Sequence, residues 1–567
     1  MKHFVIFIAV MMILSACAPV SPSPDDPPEP SPSASDSPSP SHEQQPSSEP
    51  SVPPEPSPEP SPEPAAPPRE LFHPYYIEDT DPAKYKYDRH IQVNGETVSE
   101  YLNTEHILFT WPEDYAALPG VTTFRGSNFR NQPAWGSADV KEETLTELYR
   151  INVGILGRWT GVGWSGQPAV VQWDYDVQQQ MNLLPEKKDK AGLIEVIQGA
   201  LDGYVYFFDL EDGEPTRERI HFGEPIKGGI SIDPRGFPLL YIGQGDLVAG
   251  SRFGYYIYSL IDGKELYFIN GRDRFAHRTW AAFDSNPIFD IPNDRFYLWG
   301  ENGVLYSVKL NTNFDRAAGT ISIDPDVVRH RNTSTITNEQ GVEGSVAAFG
   351  HYLFASDNSG IVYCIDLTTM QAVWMRDTTE NCDSTVVLDW EEENGMLALY
   401  TGCSVKWRDA GSPAYLRKLN AENGELLWER SYNCNKDPGI PGGLMSTPIS
   451  GRGDMEDYVF FWVGKLTNAY KGRGVLVCLD KQTGETVWEN FMPHYGYSSP
   501  VDIYTEDGTG YIVVADSAGL MYLIRGTTGE VLDTISVGSN VEASPAVWGN
   551  KLVVGTRGQR IFGIEIN

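Results

Sequence analysis

A β-hairpin pattern that recurs along the chain constrains its fold more than any other feature. The clearest copy, GVLVCLDKQTGETVW at Gly474–Trp488, has two alternating apolar runs joined by a tight turn at Lys481–Gly484. Gly484 supplies the positive φ that such a turn needs. Further copies begin at Asp202, Gly254, Gly303, Gly360, Ala414, Gly519 and Arg557. The copies return roughly every 40–60 residues, which is the repeat length of propeller blades.

A short strand that opens with small residues precedes the copies. These strands begin at Ser165, Gly228, Ser285, Gly344, Asp383, Met445, Ser498 and Glu542, and together they predict eight blades. The last copy ends without an outer strand, and Thr146–Asn152 (TELYRIN) has the pattern of the missing one. We therefore predict an all-β, eight-bladed β-propeller over residues 121–567. An N-terminal strand completes the last blade and hides the sheet edges.

The start of the chain predicts export and lipid anchoring. Residues 1–16 place one basic residue before an apolar run, as secretion signals do. Leu14–Cys17 (LSAC) resembles the lipobox of bacterial lipoproteins, which implies that Cys17 is lipidated and holds the protein on the outer face of the cell membrane. An ordinary signal peptide is the alternative. Residues 17–69 are rich in Pro, Ser and Glu, and a segment of this composition is predicted to be a disordered linker.

Residues 70–120 are predicted to be an N-terminal extension that packs on the propeller, because they carry several aromatic residues but are too few to fold alone. Within them, Ile91–Val98 is predicted to form a hairpin with its turn at Asn94-Gly95.

Two features resemble the pyrroloquinoline-quinone-like (PQQ-like) propeller family. Phe124–Arg130 (FRGSNFR) is similar to the FRG…R segment that precedes the family's first repeat. The hairpin copies resemble its tryptophan-docking motif, A-x-D-x-x-T-G-x-x-x-W. The matching residues are Cys478, Asp480, Thr483, Gly484 and Trp488; Cys364, Asp366 and Trp374, with Met370 in place of Gly; and Asn420, Gly424 and Trp428. The resemblance implies a quinoprotein alcohol dehydrogenase-like fold in which Trp374, Trp428 and Trp488 dock between blades.

The sequence lacks the features that the resemblance associates with catalysis. Quinoprotein dehydrogenases of this superfamily stack PQQ against a disulfide between adjacent cysteines and hold Ca²⁺ with carboxylate and amide oxygens. This chain has no adjacent cysteine pair and no Cys-x-x-Cys-His motif for haem. It also has no Gly-x-Ser-x-Gly or His-Glu-x-x-His motif. We therefore expect no catalytic residue, no metal and no cofactor, with PQQ and Ca²⁺ as the alternative.

Residues at or just before each first strand should ring one mouth of the channel. They are Trp164, Lys227, Trp280, Asp284, Glu343, Asp383, Met445, Tyr497 and Glu542. Aromatic and charged side chains together suit a ligand pocket, and a water-filled funnel without a ligand is the alternative. Trp159 and Trp164, in the glycine-rich GRWTGVGWSG, are candidates for an aromatic platform that binds a sugar or a peptide.

Three cysteines should lie near one rim of blade 5. The predicted disulfide is Cys382–Cys403, with Cys403–Cys434 as the alternative, because an exported protein permits disulfides and sequence does not decide connectivity. Cys364 and Cys478 occupy the same repeat position and are predicted to be core residues.

The net charge of −34 at pH 7 argues against binding to nucleic acid. The features together predict a monomeric, surface-anchored, non-catalytic binding or scaffold lipoprotein. Its propeller would contact envelope proteins or cell-wall glycan. The alternatives are a PQQ-dependent oxidoreductase with an atypical site and a carbohydrate-binding propeller.

Overall fold

The computed structural model describes residues 72–250, 252–334, 340–467 and 470–567. The predicted signal peptide at 1–16, the predicted lipidation site Cys17 and the predicted linker at 17–69 lie outside the described residues. Among the residues that are described, no helix is long and apolar enough to cross a membrane.

Eight antiparallel sheets, found within the described residues, form the blades of a propeller. In each of the first seven blades, four strands follow one another along the chain from the channel outward. The prediction of an all-β, eight-bladed propeller is confirmed. The strands of blades 1 to 4 are Ala169–Gln172, Ile194–Gly199, Tyr204–Asp209 and Ile220–His221; Ser231–Ile232, Leu239–Gly243, Gly254–Ser259 and Glu265–Asn270; Ile288–Asp290, Arg295–Trp299, Leu305–Lys309 and Asp326–Thr333; and Ala347–Phe349, Tyr352–Ser356, Ile361–Asp366 and Gln371–Asp377.

Blade 8 combines one strand that precedes blade 1 with three strands from the C-terminal part of the chain. Its outer strand, Leu145–Asn152, pairs antiparallel with Arg560–Ile566 in a register that sets Ile151 opposite Ile561. The predicted closure of the ring by an N-terminal strand is therefore confirmed. The strands of blades 5 to 8 are Val387–Glu391, Met396–Gly402, Pro413–Asn420 and Leu426–Asn433; Ile449–Ser450, Tyr458–Gly464, Gly474–Asp480 and Thr486–Met492; Val501–Tyr504, Gly510–Ala515, Leu520–Arg525 and Val531–Ser536; and Ala546–Trp548, Lys551–Thr556, Arg560–Ile566 and Leu145–Asn152.

Short elements decorate the blades. Gly120–Val121 and Ala134–Trp135 add inner-edge strands to blades 1 and 8, and Ser404–Val405 with Gly442–Leu444 extends blade 6. Small hairpins consist of Ile155–Leu156 with Trp159–Thr160 and of Asn313–Asp315 with Thr320–Ser322. Short α-helices span Tyr175–Gln180 and Pro185–Lys188. Short 3₁₀ helices span Glu78–Thr80, Pro82–Tyr85, Pro112–Asp114, Ile291–Asn293 and Gly453–Met455.

The hydrophobic core lies between neighbouring blades, because the inner strands of each blade bury both faces of their sheet. Clusters of buried apolar side chains join every blade to the next around the ring. The cluster that closes the ring contains Val170 and Val196 of blade 1 together with Ala546 and Val553 of blade 8. Burial of apolar surface between blades therefore holds the ring together.

An aromatic residue on an outer strand packs on a turn glycine of the next blade. Trp374 of blade 4 donates its indole N–H to the carbonyl of Ala421 at 3.0 Å. Its ring covers Gly424 so closely that a Cβ there would lie 2.7 Å from a ring atom. The same contact joins Trp428 to Gly484, Trp488 to Gly529 and Tyr149 to Gly213. The last of these pairs spans the junction between blades 8 and 1.

The segment before the first blade lies against the ring. The hairpin of Asp88–Val93 and Glu96–Val98 is present, with Ile91 opposite Val98. It pairs with the outer strand of blade 3, Asp326–Thr333, and extends that sheet to six strands. Phe72 packs edge-on against Phe349 of blade 4, with ring centroids 5.4 Å apart.

Candidate functional site

The first half of the FRGSNFR segment fills the channel from one end. Arg125 is fully buried, and its guanidinium donates to the carbonyls of Pro500 at 2.7 Å and Pro448 at 3.2 Å. Its backbone N–H donates to Oε1 of Gln167, whose amide donates to the carbonyl of Pro545. The segment thereby ties together the entrances to blades 6, 7 and 8.

Arg130 makes the equivalent contacts on the other side of the channel. It is fully buried and donates to the carbonyls of Val346 at 2.7 Å and Pro287 at 3.0 Å, which belong to blades 4 and 3. Burial lowers the pKa of Arg125 and of Arg130 to about 10, so both remain charged at neutral pH. The segment therefore fills the channel at the level where the first strands of the blades begin.

One end of the channel, called the mouth below, is lined by three parts of each blade. Strand direction alternates within a blade, so the start of the first strand, the turn between the second and third, and the end of the fourth lie at one end. The first of these parts supplies the predicted mouth residues. The second supplies residues that the sequence prediction did not include, among them Asp246, Glu301, Asn358, Lys406 and Trp407.

Three carboxylates meet in the mouth. One oxygen each of Asp284, Glu301 and Glu343 lies within 4.8 Å of the other two. Asp284 and Glu301 are buried, at 1% and 3% exposure, and Glu343 is partly buried. Asp284 and Glu343 come just before the first strands of blades 3 and 4, and Glu301 lies in a turn of blade 3.

Each of the three carboxylates has one oxygen held by a donor. Lys227 Nζ lies 2.5 Å from Asp284 Oδ2. Trp280 donates its indole N–H to Glu301 Oε2 at 2.7 Å. The amide of Asn358 donates to Glu343 Oε2 at 3.3 Å. By contrast, Asp284 Oδ1 and Glu301 Oε1 are buried with no hydrogen-bond partner among the described residues.

A second polar group continues the network into blade 5. Asn358 also donates to Asp383 Oδ1 at 2.8 Å, and Asn381 donates to Asp383 Oδ2 at 2.5 Å. Lys406 donates to Asn381 Oδ1 at 3.2 Å, and its ammonium lies 4.0 Å from Asp383. The predicted residues Lys227, Asp284, Glu343 and Asp383 therefore belong to one connected network.

Burial and mutual repulsion disturb these acids. Burial raises the pKa of Asp284 to about 6, and Glu343 adds to the effect while Lys227 opposes it. Burial, with Glu343 and Asp284, raises the pKa of Glu301 well above its usual range. Burial and Glu343 raise the pKa of Asp383 to about 7. Burial acts in the same direction on Glu343, but Lys406 and Lys227 outweigh it and lower its pKa.

The predicted aromatic platform is not an uncontacted aromatic surface, because Trp159 has polar and charged partners within the chain. Trp159 donates its indole N–H to Asp246 Oδ2 at 2.7 Å. The guanidinium groups of Arg158 and Arg557 lie 5.1 and 5.4 Å from the centre of its ring. Trp164 is partly buried, and its buried indole N–H has no hydrogen-bond partner in the part of the chain that the structure describes. Trp159 is thus already a partner of cations of the chain itself.

The remaining predicted mouth residues lie on blades 6 to 8 and either contact neighbouring groups or are buried. Tyr497 donates its hydroxyl to the carbonyl of Pro441, and Met445 is buried. Glu542 pairs with Arg557 at 2.9 Å. These residues are not among the contacts of the three carboxylates, so the mouth has an acidic sector on blades 2 to 5.

The cysteines at blade 5 are free thiols. Cys382, Cys403 and Cys434 are all buried, and neither predicted disulfide is present in the structure. Cys382 Sγ lies 3.1 Å from the hydroxyl of Thr378, and Cys403 Sγ accepts the backbone N–H of Tyr415 at 3.4 Å. Cys364 and Cys478 are buried in the third strands of blades 4 and 6.

Comparison with known proteins adds a family match. Residues 472–567 match the model of the family described as outer membrane protein assembly factor BamB. A curated relative, the beta-alanine-activating enzyme of Danio rerio, is 28% identical over 96 residues, which are 16% of this chain. The chain spans only 8% of the length of that relative.

The similar solved structures are distant in sequence. BamB from Moraxella catarrhalis has 15% identity and a TM-score of 0.44, covering 74% of this chain and 97% of that one. A europium-containing methanol dehydrogenase has 12% identity and a TM-score of 0.39, covering 79% of this chain and 98% of that one. The family match thus covers part of blade 6 together with blades 7 and 8, and the other blades carry hairpin repeats that resemble the motif of PQQ-like propellers.

Proposed function

We propose that this protein is an exported, lipid-anchored binding propeller without catalytic activity, which contacts another component of the cell envelope through its mouth. The observation that carries the proposal is the mouth itself. Arg125 and Arg130 fill the channel at the level where the first strands begin, and the mouth presents aromatic side chains to solvent. Trp280 is 40% exposed and Trp407 is 55% exposed there. Exposed aromatic residues above a polar pocket are typical of a recognition surface.

The position of the N-terminal segment supports this arrangement. Residues from Phe72 onward run over the blades, and the chain reaches the channel where Gly120–Val121 pairs with the first strand of blade 1. Phe109 pairs with Gly350 in the turn between the first two strands of blade 4, which lies opposite the mouth. The first described residues therefore lie on the blades away from the mouth.

The chemistry of the described cysteines supports a non-catalytic role. Burial raises the pKa of the Cys382 thiol well above its usual range, with Cys403 adding to the effect. Burial also raises the pKa of Cys434 to about 12. Because the thiolate is the nucleophile, these thiols are unreactive at neutral pH.

The PQQ-dependent alternative receives only partial support from the site. Carboxylate oxygens of Asp284, Glu301 and Glu343 are donors that Ca²⁺ accepts. The quinone does not fit in the same way, because no two cysteines are adjacent in the sequence to form the stacking disulfide. We therefore assign no redox step to this protein.

A position-dependent crosslinking experiment tests the proposal. A photoreactive amino acid replaces Trp407 at the mouth in the full-length protein in its native cells. Val531, which is 40% exposed on the outer strand of blade 7, is the matched control position. We expect a specific adduct from position 407 and none from position 531. Adducts from the outer strand alone, or from neither position, would contradict a binding role for the mouth.

Fractionation of the same cells tests the anchor separately. We expect the wild-type protein in the membrane fraction and the Cys17→Ala variant outside it. Membrane association of that variant would contradict lipid anchoring without affecting the mouth proposal. Titration with PQQ tests the alternative, since a stoichiometric quinone absorbance that stays with the protein would overturn the non-catalytic assignment.

A further inference from the structure

We propose that Asp284, Glu301 and Glu343 form a binding site for a divalent cation of the Ca²⁺ type in the mouth of the propeller. The proposal goes beyond the proposed function and does not depend on a lipid anchor, a quinone or a partner protein.

The geometry of the three carboxylates suits one shared ion. Their nearest oxygens lie within 4.8 Å of one another, so a single ion can contact all three. Calcium takes six to eight oxygen ligands at about 2.3–2.6 Å, and water molecules can complete such a shell. All three donors are oxygens, whereas zinc sites use histidine and cysteine ligands. The donor set therefore selects a hard cation.

Two unpartnered oxygens point to a missing ligand. Asp284 Oδ1 and Glu301 Oε1 are buried and have no partner among the described residues, although the second oxygen of each carboxylate is hydrogen-bonded. A buried carboxylate oxygen that accepts no hydrogen bond is costly, so native proteins rarely leave one unsatisfied. A cation in contact with both oxygens removes this cost.

Hydrogen bonds from surrounding residues orient the carboxylates, as they do for the ligands in metal sites. Lys227 and Trp280 donate to one oxygen of Asp284 and of Glu301, respectively, and leave the other available, and Asn358 donates to Glu343. Such outer contacts fix the orientation of ligands in metal sites. Gly245 keeps space beside the free oxygen of Asp284, since a Cβ at this position would lie 2.5 Å from Oδ1.

The local charge also favours a cation. Three carboxylates share this volume, and Lys227 is the cation in direct contact with one of them. Lys406 and Arg278 reach the network through Asn381 and Asn358, at 3.2 and 2.7 Å. Like charges this close repel strongly in a buried environment. Lys227, Lys406 and Arg278 offset part of this repulsion, and a divalent ion in contact with all three carboxylates offsets it further.

Terbium luminescence on the full-length protein tests the site directly. Tb³⁺ occupies calcium sites and emits when a nearby tryptophan is excited. Trp280, hydrogen-bonded to Glu301, is placed to transfer that energy. After chelation and removal of bound metal, we expect sensitised emission on addition of Tb³⁺ that CaCl₂ reverses. Calorimetry with CaCl₂ alone should give one site per chain.

Substitutions separate the site from non-specific binding to an acidic protein. Glu301→Gln keeps the acceptor for Trp280 but removes the charge, and we expect at least a tenfold weaker Ca²⁺ affinity. Trp280→Phe should abolish the emission while calorimetry still detects Ca²⁺. Asp246→Asn is the matched control, because Asp246 is a mouth carboxylate that holds Trp159 in the same way. It should change the affinity by less than threefold.

Circular dichroism in EDTA establishes that each variant is folded. Glu301→Gln should fold, because it removes one of three clustered like charges. In wild-type protein, CaCl₂ at 100 times its dissociation constant should raise stability by about 2.7 kcal/mol, and this gain should disappear in Glu301→Gln. The proposal would be overturned if calorimetry detected no heat of Ca²⁺ binding to wild-type protein. Equal Ca²⁺ affinities of wild-type and Glu301→Gln protein would overturn it as well.

Discussion

At the scale of single residues, Arg130 has an unusual environment for a charged side chain. It donates to four carbonyls and one hydroxyl, and these include the carbonyls of Val346 and Pro287 in two different blades. Removing the guanidinium would leave these buried acceptors unpaired, at about 1–3 kcal/mol each. We expect Arg130→Met to lose at least about 3 kcal/mol of unfolding free energy.

Thermal unfolding followed by circular dichroism measures this loss. Arg158→Met is the control, because Arg158 lies at the mouth with its side chain 78% exposed. Its midpoint should change little. Equal midpoints for Arg130→Met and wild-type protein would mean that the segment at Phe124–Arg130 does not hold the blades together.

His330 should make stability depend on pH. Burial lowers the pKa of His330 to about 3, with Arg89 and His90 adding to the effect. The unfolded chain takes up a proton near pH 6.5 and the folded one does not, so stability is full above that pH and falls as the pH decreases. Between pH 6.5 and 4.5 this loss amounts to about 2–3 kcal/mol.

Urea denaturation at these two pH values measures the effect. His330→Gln keeps a partner for the Tyr87 hydroxyl, which lies 3.1 Å from His330 Nε2, but does not titrate. Its stability should therefore fall less than that of wild-type protein. His221→Gln, at an exposed position, should behave like wild-type protein. An unchanged pH dependence in His330→Gln would refute this assignment.

The sequence predicted only part of the candidate site. Asp284 and Glu343 were found because small residues mark the start of each first strand. Glu301 and Asn358 were missed, although a turn with its own signal carries them. In each of these two turns, a polar side chain before a glycine accepts a backbone N–H of the turn and hydrogen-bonds a tyrosine hydroxyl three residues after that glycine. The polar residues are Asn302, before Gly303, and Asp357, before Gly360. The pattern was present, but only strand alternation shows that these turns face the mouth.

At the scale of elements, the docking tryptophans are not equivalent. Trp374 is fully buried, whereas Trp488 is partly exposed. Because the penalty for truncation follows the buried volume that is lost, we expect Trp374→Ala to cost about 3–5 kcal/mol and Trp488→Ala clearly less. Urea denaturation of the two variants measures both values. A larger loss for Trp488→Ala would show that docking at blade 7 matters more than burial indicates.

The repeats predicted the blades, but not every contact made by the elements before them. Hairpin periodicity is local, so the blade count and the closing strand followed from it. The pairing of Asp88–Val93 with blade 3 depends on which outer edge is open in the folded ring. Likewise, the role of Arg125 and Arg130 depends on carbonyls that lie more than 150 residues away in the sequence. Such long-range partners leave no periodic signal.

At the scale of the whole molecule, one pair of strands closes the ring and so governs its stability. Thr146 lies opposite Glu565 in the pairing of Leu145–Asn152 with Arg560–Ile566. The variant Thr146→Cys/Glu565→Cys should form a disulfide across this pair. The five native cysteines of the described chain are buried and so do not compete for it.

This cross-link should stabilise the propeller because it constrains the unfolded chain between its two distant ends. Chain-entropy arguments give about 4.7 kcal/mol for a loop of 100 residues and more for the longer loop between positions 146 and 565, whereas measured gains reach at most about 5 kcal/mol. We expect a higher thermal midpoint for the oxidised variant than for the same variant in reductant, with wild-type protein unaffected by reductant. Because all eight blades depend on one closure, the gain should extend to the whole unfolding transition. A stabilised early phase followed by an unchanged main transition would instead mean that the blades unfold independently.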